Sequence, residues 1–255
     1  MPWDPAQYLK FAGPRLRPAL DLLQRIDREA PGRVYDLGAG AGNVTRLIAA
    51  RWPAARVVGV DSSAEMLAKA AAENPGIEWQ QADLATWRPE RPADIIYSNA
   101  ALHWLDFHDR LIPGLFAGLA PGGVLAVQIP RNFAAPSHTS ITEAALAGPW
   151  RRVLEPLLRP SPVAEPAFYY DLLAPLAASL DIWETEYLQV LDGANPVKEW
   201  TKGTWLLPLL AALDEPERSR FEADYAARVA AAYPPRGDGR TLFPFRRLFL
   251  IAAAA

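Results

Sequence analysis

Short apolar runs alternate with amphipathic segments through the first half of the chain. The apolar runs have the length of buried strands and lie at 33–37, 56–61, 77–82, 93–98 and 123–129. The segments between them repeat apolar residues at helical spacing, at 42–52, 63–73 and 105–119. Strands and helices that alternate in this way predict an α/β fold in which helices cover both faces of a parallel sheet.

The pattern changes after residue 130. Residues 131–178 are rich in proline and aromatic residues, which favours rigid loops over disorder. Period-two alternation at 180–190 predicts a sixth strand, and a helical segment follows at 196–232. Residues 247–253 predict a last strand, antiparallel to its neighbour, which would complete a seven-stranded sheet.

Length sets the expected domain organisation. A chain of 255 residues can form one sizeable α/β domain with an appended part. We therefore predict a single domain over 1–255. Segments 1–30, 131–178 and 196–243 are expected to form a helical cap over the carboxyl edge of its sheet.

Composition excludes several classes of function. The net charge is −3 and the chain has no basic run, so we expect no nucleic-acid partner. Cysteine is absent, which excludes disulfides, thiolate metal ligands and a cysteine nucleophile. The start lacks the features of a signal peptide, and the longest apolar run is far shorter than the ~20 residues of a membrane span. We expect a cytoplasmic protein, and composition leaves a monomer or a dimer open.

A glycine-rich loop joins the first predicted strand to the first predicted helix. It reads Asp-Leu-Gly-Ala-Gly-Ala-Gly from Asp36 to Gly42. Glycine tolerates positive φ and lets a ligand approach the backbone, so the loop suits a nucleoside-like ligand at the end of the strand. The dinucleotide pattern G-x-G-x-x-G would place its third glycine at Asn43. NAD binding and a plain tight turn remain the alternatives.

Polar residues end the next three strands, in step with this loop. They are Asp61, Asp83 and Asn99. Together with the loop they resemble the motifs of the Rossmann-like S-adenosylmethionine-dependent methyltransferases. The resemblance implies that Asp61 accepts hydrogen bonds from the ribose hydroxyls and Asp83 accepts from the adenine amino group. It also implies that Asn99 lies near the methionine moiety.

The same resemblance suggests roles for further residues. Met66 would pack on the adenine face, the N–H of Leu84 would meet a ring nitrogen, and Asp36 would add negative potential beside the cationic end of the cofactor. The predicted cofactor-binding set is Asp36, Gly38, Ala39, Gly40, Asp61, Ser62, Met66, Asp83, Leu84 and Asn99. For a single aspartate after a strand, a helix N-cap is the alternative interpretation.

Several segments outside these motifs resemble the bacterial trans-aconitate 2-methyltransferases. They are Trp3 with Tyr8–Leu23, Ala82–Trp87, Asn99–Leu105, Gly123–Pro130, Pro136–His138, Asp181–Trp183, Trp200–Thr204 and Arg247–Phe249. The resemblance runs nearly end to end. It implies methyl transfer from S-adenosylmethionine to a carboxylate oxygen of trans-aconitate, giving a monomethyl ester and S-adenosylhomocysteine.

The chain departs from that family's pattern at two places. After Gly203 and Thr204 the family continues with a small residue, leucine, arginine and proline, whereas Trp205 and Leu207 stand here. His103 also replaces the family's usual glutamine. An arginine suited to gripping a tricarboxylate is therefore missing, which leaves a smaller or more apolar acid open.

A carboxylate acceptor sets modest demands on the protein. Its pKa lies near 4, so at neutral pH it is already the nucleophile and needs no general base. Candidates for orienting and binding the substrate are His103, Tyr8, Arg15, Arg17, His138, Tyr170, Trp200 and Arg247. A solvated surface position is the alternative for each arginine, and a ring packed on Trp104 is the alternative for His103. The three histidines lack companion acids at ligand spacing, so we predict no metal site.

Alternatives remain for both the methyl acceptor and the class of function. The acceptor could be another small acid, an acyl-carrier-bound malonyl group, a hydroxyl or an amine. The fold could also serve as a non-catalytic module that binds the cofactor. A small-molecule carboxylate is the predicted partner.

Overall fold

The computed structural model describes the backbone of residues 12–255 and the side chains of residues 16–255. Its seven strands are β1 (Arg33–Leu37), β2 (Arg56–Asp61), β3 (Glu78–Gln81), β4 (Ala93–Asn99), β5 (Leu119–Pro130), β6 (Ser179–Leu191) and β7 (Thr241–Ala253). Its helices are α1 (Ala12–Gln24), α2 (Thr45–Arg51), α3 (Ala64–Glu73), α4 (His108–Phe116), α5 (Pro136–Ala147), α6 (Arg151–Leu154), α7 (Pro166–Leu173), α8 (Pro196–Lys202), α9 (Leu207–Ala211) and α10 (Glu217–Ala232). Short 3₁₀ turns occur at Leu102–Trp104 and Glu155–Leu157.

The strands form one sheet in the order β3-β2-β1-β4-β5-β7-β6. Strands β1 to β5 pair in parallel. Strand β7 is antiparallel to β5, from Val124 opposite Ala253 to Pro130 opposite Arg247. The prediction of an α/β fold with a seven-stranded sheet and an antiparallel last strand is confirmed. Because the order reverses between β1 and β4, the loops that follow these two strands flank one crevice at the carboxyl edge.

Helix α1 covers part of this sheet. The hydroxyl of Tyr97, at the centre of β4, donates to the carbonyl of Ala19 at 2.8 Å. Leu22 and Ile26 are buried on the same segment. The central strands are apolar on both faces, as expected of a parallel sheet between helices.

Proline misled the prediction for the second half of the chain. Residues 131–178 contain helices α5, α6 and α7, although their proline content indicated loops. The reason is positional, because Pro136 and Pro166 each stand at the start of a helix. Proline is tolerated there because its missing N–H would have no partner within the helix. The single helical segment predicted at 196–232 is three helices.

Two compact units divide the described residues. The sheet unit holds Leu16–Pro130, Pro162–Thr185 and Arg247–Ala255, and the helical unit holds Arg131–Ser161 and Glu186–Arg246. The segments predicted as a cap therefore fall into both units, since 16–30 and 162–178 group with the sheet. The cap itself stays a prediction.

Each unit has its own core. The helical unit buries a cluster of aromatic residues that includes Trp150, Trp200, Phe221, Phe243 and Phe245. In the part of the chain described from residue 12 onward, no helix is both long enough and apolar enough to cross a membrane.

Candidate functional site

The glycine-rich loop turns sharply at the end of β1. Gly38, Gly40 and Gly42 all have positive φ, at +78°, +55° and +80°. The amides of Gly38 and Ala39 donate to the carbonyl of Val60, at 2.8 and 3.0 Å, which holds the loop beside β2. A Cβ on Gly38 would lie 2.2 Å from the Cβ of Ala101, so only glycine fits between the loops after β1 and β4.

Asp61 ties this loop to the end of β2. Its Oδ2 accepts from the amide of Gly40 and its Oδ1 from the amide of Ser63, both at 2.9 Å. Ser63 in turn caps α3, because its hydroxyl accepts from the amide of Met66 at 3.3 Å. Each oxygen of a carboxylate accepts more than one hydrogen bond, so Asp61 keeps capacity for a ligand hydroxyl.

Asp36 lies inside the sheet unit and is 2% exposed. The hydroxyl of Thr45, the first residue of α2, donates to its Oδ2 at 2.6 Å. Burial raises the pKa of Asp36 to about 7, and the hydrogen bond from Thr45 opposes this rise. A nearby cation would favour the ionised carboxylate, so this residue can respond to a cationic ligand.

The other predicted cofactor residues lie around the loop. The side chain of Leu84 is buried and lies 3.9 Å from where a Cβ on Gly38 would be. The Cε of Met66 lies 3.7 Å from where a Cβ on Gly40 would be. Asp83 and Ser62 are exposed. The Oδ1 of Asp83 accepts from the amide of Ala85 at 2.9 Å within a turn, and no helix begins there for it to cap.

Asn99 ends β4 opposite Gln128 of β5. Its Oδ1 is buried and has no hydrogen-bond partner among the side chains and backbone that the structure describes. The next residue, Ala100, has a φ of +52°, which is uncommon for a residue other than glycine. Buried polar atoms are normally paired, so Asn99 marks a place where a ligand can bind.

Two histidines near this edge contact other side chains and backbone groups of the protein. His103 is buried in a 3₁₀ turn, and its ring lies 4.6 Å from that of Trp104. His108 has Nε2 3.0 Å from the carbonyl of Leu102 and Nδ1 2.6 Å from the hydroxyl of Tyr169. Because a carbonyl only accepts, Nε2 carries the proton and Tyr169 donates to Nδ1. Burial lowers the pKa of His108, which favours the neutral ring.

Arg247 is buried at the start of the β7 segment that pairs with β5. It is 3% exposed, and its Nη1 donates to the Oε1 of Gln128 at 3.2 Å. A guanidinium keeps its charge when it is buried, so the sheet unit carries a desolvated cation. Arg247 therefore stays a substrate candidate.

The remaining substrate candidates have different environments. The side chain of Arg17 is 74% exposed and lies 3.9 Å from Asp21, an ion pair that contributes little at the surface. Tyr170 is also exposed. Trp200 is buried between Phe243 and Phe245, and this is a core position. Tyr8 and the side chain of Arg15 lie outside the described residues.

His138 belongs to an aromatic group in the helical unit. Its ring centroid is 5.2 Å from that of Phe133 and 6.1 Å from that of Trp205. Burial lowers its pKa to about 4, so the ring is neutral at pH 7. Its Nδ1 lies 3.0 Å from the hydroxyl of Ser137, which also accepts from Asn132 at 3.1 Å. Trp205, one of the departures from the family pattern, therefore packs beside a predicted substrate residue.

Sequence reasoning missed Thr45 and Gln128. Thr45 sits nine positions after Asp36, and its pairing depends on how the loop folds. Gln128 had a visible signal, because it is the single polar residue in the apolar run from Val124 to Ile129. Among residues 16–255, no three histidine or acidic side chains gather in a way that could hold a metal ion.

Known proteins show the same organisation. The family described as "Methyltransferase domain" matches residues 34–123. A trans-aconitate 2-methyltransferase from Azoarcus sp. is 52% identical over 98% of both chains. Among solved structures, the YcgJ protein from Bacillus subtilis superposes with a TM-score of 0.61 at 14% identity, covering 93% of this chain and 98% of that chain.

Another solved structure, Haemonchus contortus phosphoethanolamine N-methyltransferase 2 in complex with S-adenosyl-L-methionine, gives a TM-score of 0.59 at 14% identity. It covers 98% of this chain and 56% of that chain. These structural similarities establish a shared fold. The near-complete match to the Azoarcus protein goes further, and it shows that the chain belongs to the trans-aconitate 2-methyltransferase family.

Proposed function

We propose that this protein transfers the methyl group of S-adenosylmethionine to a carboxylate oxygen of trans-aconitate and releases a monomethyl ester. Its family is one of methyltransferases, and the Azoarcus relative carries that substrate in its name. The observation that carries the proposal is the polar edge of the sheet unit. There Asp61 is held by Gly40 and Ser63, and Asn99 presents a buried acceptor without a partner among residues 16–255.

The residues of this edge fit the cofactor. Asp61 can accept from the two ribose hydroxyls with the capacity that its backbone hydrogen bonds leave free. Met66 and Leu84 provide apolar surface beside the loop, as an adenine ring requires. When bound, S-adenosylmethionine supplies a methyl group on a cationic sulfur.

The protein's own task in the reaction is orientation. The acceptor carboxylate is ionised at neutral pH, so no residue needs to remove a proton. Burial lowers the pKa of both His108 and His138, which weakens each ring as a base, in agreement with a reaction that needs no basic catalyst. Holding the carboxylate in line with the methyl group, and keeping water away, converts the encounter into an intramolecular reaction.

A smaller carboxylic acid is the second candidate acceptor. The large ring of Trp205 packs 5.0 Å from Phe133 in place of the family's small residue, and Leu207 stands where the family has arginine. The large side chain of Trp205 leaves less room, and Leu207 does not supply the positive charge of an arginine. Both differences favour a smaller, less charged acid. The proposed partner remains a small molecule, and the proposed compartment is the cytoplasm.

An assay with labelled methyl donor distinguishes between these acceptors. The protein would be incubated with methyl-labelled S-adenosylmethionine and a panel of mono-, di- and tricarboxylates, and the products identified by mass spectrometry. We expect a monomethyl ester of trans-aconitate and one equivalent of S-adenosylhomocysteine. Turnover with a smaller acid alone would keep the reaction and replace the substrate. Cofactor binding without turnover on any acceptor would indicate a non-catalytic module.

A further inference from the structure

We propose that Gln128 and Arg247 together form a binding site for one carboxylate group, with Gln128 contacting the ligand directly. This inference rests on the proposed function, because it names the residues that recognise the acid. The carboxylate could belong to the acceptor or to the amino-acid end of the cofactor. Both sources share this chemistry, and the experiment below separates them.

The orientation of the Gln128 amide is determined by its neighbour. The Oε1 of Gln128 accepts from the Nη1 of Arg247 at 3.2 Å. Rotating the amide by half a turn would set two donors against each other, since a guanidinium has no acceptor. The Nε2 group therefore points away from Arg247, as a donor of known direction.

This donor lacks a partner within the described structure. Gln128 is fully buried, and its Nε2 makes no hydrogen bond among residues 16–255. A buried N–H group without an acceptor is unfavourable, so such groups are rare unless a ligand or water accepts from them. The missing partner must be an acceptor.

Sheet register places a second unpaired atom nearby. Asn99 lies directly opposite Gln128 across the β4–β5 pair, and opposite residues of neighbouring strands point to the same face. Its Oδ1 is likewise buried and without a partner in the described part of the chain. An amide oxygen only accepts, so Asn99 would contact a donor group of the ligand while Gln128 contacts its carboxylate.

The position of the pair agrees with a role in binding. Arg247 lies opposite Pro130, the last residue of β5, so the pair sits at the carboxyl edge where ligands of such sheets bind. Phe249, opposite Gln128, stacks on Trp183 with ring centroids 4.7 Å apart. Arg247 is itself 3% exposed, so little water screens the guanidinium, which strengthens its attraction for an anion.

The charge and geometry favour a carboxylate. One guanidinium supplies the positive charge, and the Nε2 of Gln128 supplies a second donor beside it. A carboxylate has two oxygens that can accept both at once. Arg247 alone was recognisable from the family resemblance, whereas the contribution of Gln128 follows from the burial and the direction of its amide.

Gln128→Glu is the decisive variant. Glutamate preserves the shape and still accepts from Arg247, but it removes the Nε2 donor and cancels the positive charge. The matched control is Gln80→Glu, because Gln80 also sits on a strand and its Oε1 accepts from the indole of Trp87 at 3.1 Å. Both variants are compared with the wild type by thermal unfolding, S-adenosylhomocysteine calorimetry and acceptor kinetics.

Two results would support the site and identify its ligand. If it holds the acceptor, Gln128→Glu lowers kcat/KM for the accepted acid by about a hundredfold, as expected for a lost charged contact, with unchanged cofactor affinity. If it holds the cofactor, S-adenosylhomocysteine binding weakens by a similar factor. Binding of methylthioadenosine, which has no carboxylate, then stays unchanged. If Gln128→Glu changes neither kcat/KM for the acid nor the affinity for S-adenosylhomocysteine, the proposal is overturned.

A measurement on the wild type covers the case in which the variant does not fold. With ¹⁵N-labelled glutamine, the side-chain amide signal of Gln128 should shift when the carboxylate ligand is added, and the signal of Gln80 should not. A Gln128 signal that is unmoved by both the cofactor product and the acceptor would contradict the site. This shift requires no turnover, so it distinguishes a failed site from a failed assignment of the reaction.

Discussion

Gly38→Ala tests the packing between the two loops that define the site. The new Cβ would lie 2.2 Å from the Cβ of Ala101, far inside van der Waals contact, and the backbone has a φ of +78°. Positive φ costs an alanine about 1–2 kcal/mol, and overpacking a rigid contact adds about 1–3 kcal/mol. Loss of unfolded-state entropy returns about 0.4–1 kcal/mol. We expect a net destabilisation of roughly 2–4 kcal/mol.

Gly239→Ala is the matched control for the backbone contribution. Gly239 has nearly the same φ, +80°, but nothing lies within 4 Å of its Cβ position. Its destabilisation should therefore be about 1 kcal/mol, the φ contribution less the entropy effect. The difference between the two variants isolates the contact with Ala101.

Urea unfolding measures both variants, with the midpoint reporting stability and an unchanged m-value confirming comparable unfolding. The double variant Gly38→Ala with Ala101→Gly removes the opposing methyl group. It should recover about 1–3 kcal/mol relative to the sum of the single changes, because the two residues are in contact. Equal destabilisation by Gly38→Ala and Gly239→Ala, or an additive double variant, would refute this account of the loop.

Three further predictions concern the site. Asp61→Ala and Asp83→Ala should each weaken S-adenosylhomocysteine binding by about 1–3 kcal/mol in calorimetry, and unchanged affinity in both would remove the cofactor assignment. Because burial raises the pKa of Asp36 from 3.8 to about 7, the native state holds an extra proton between these values, so this residue's contribution to stability falls as pH rises across that range. Asp36→Asn should therefore gain stability relative to wild type in urea unfolding from pH 5 to pH 8, and a constant difference would contradict the raised pKa. Leu207→Arg should raise kcat/KM for trans-aconitate if this side chain contacts the acid, and an unchanged value would exclude that role.

The sequence by itself determined the order of the elements as far as β5 and the chemistry of the glycine-rich loop. Five parallel strands follow from the alternation of apolar runs and helical periods, since these are local patterns. The positive φ of Gly38, Gly40 and Gly42 is a local property too, because glycine alone adopts it without strain. Helix starts at proline were misread, because proline content indicates a break in structure without showing whether a helix begins there.

Only the tertiary structure decided which polar residues are buried and which side chains they contact. Arg17 and Arg247 both lie in segments that match the family, yet one is solvated and the other is buried against Gln128. Gln128 and Arg247 are 119 residues apart, so their pairing depends on β7 inserting next to β5 in the sheet. The pairing of β7 with β5 and the direction of the Gln128 donor arise from contacts between distant segments, and no local pattern in the chain encodes them.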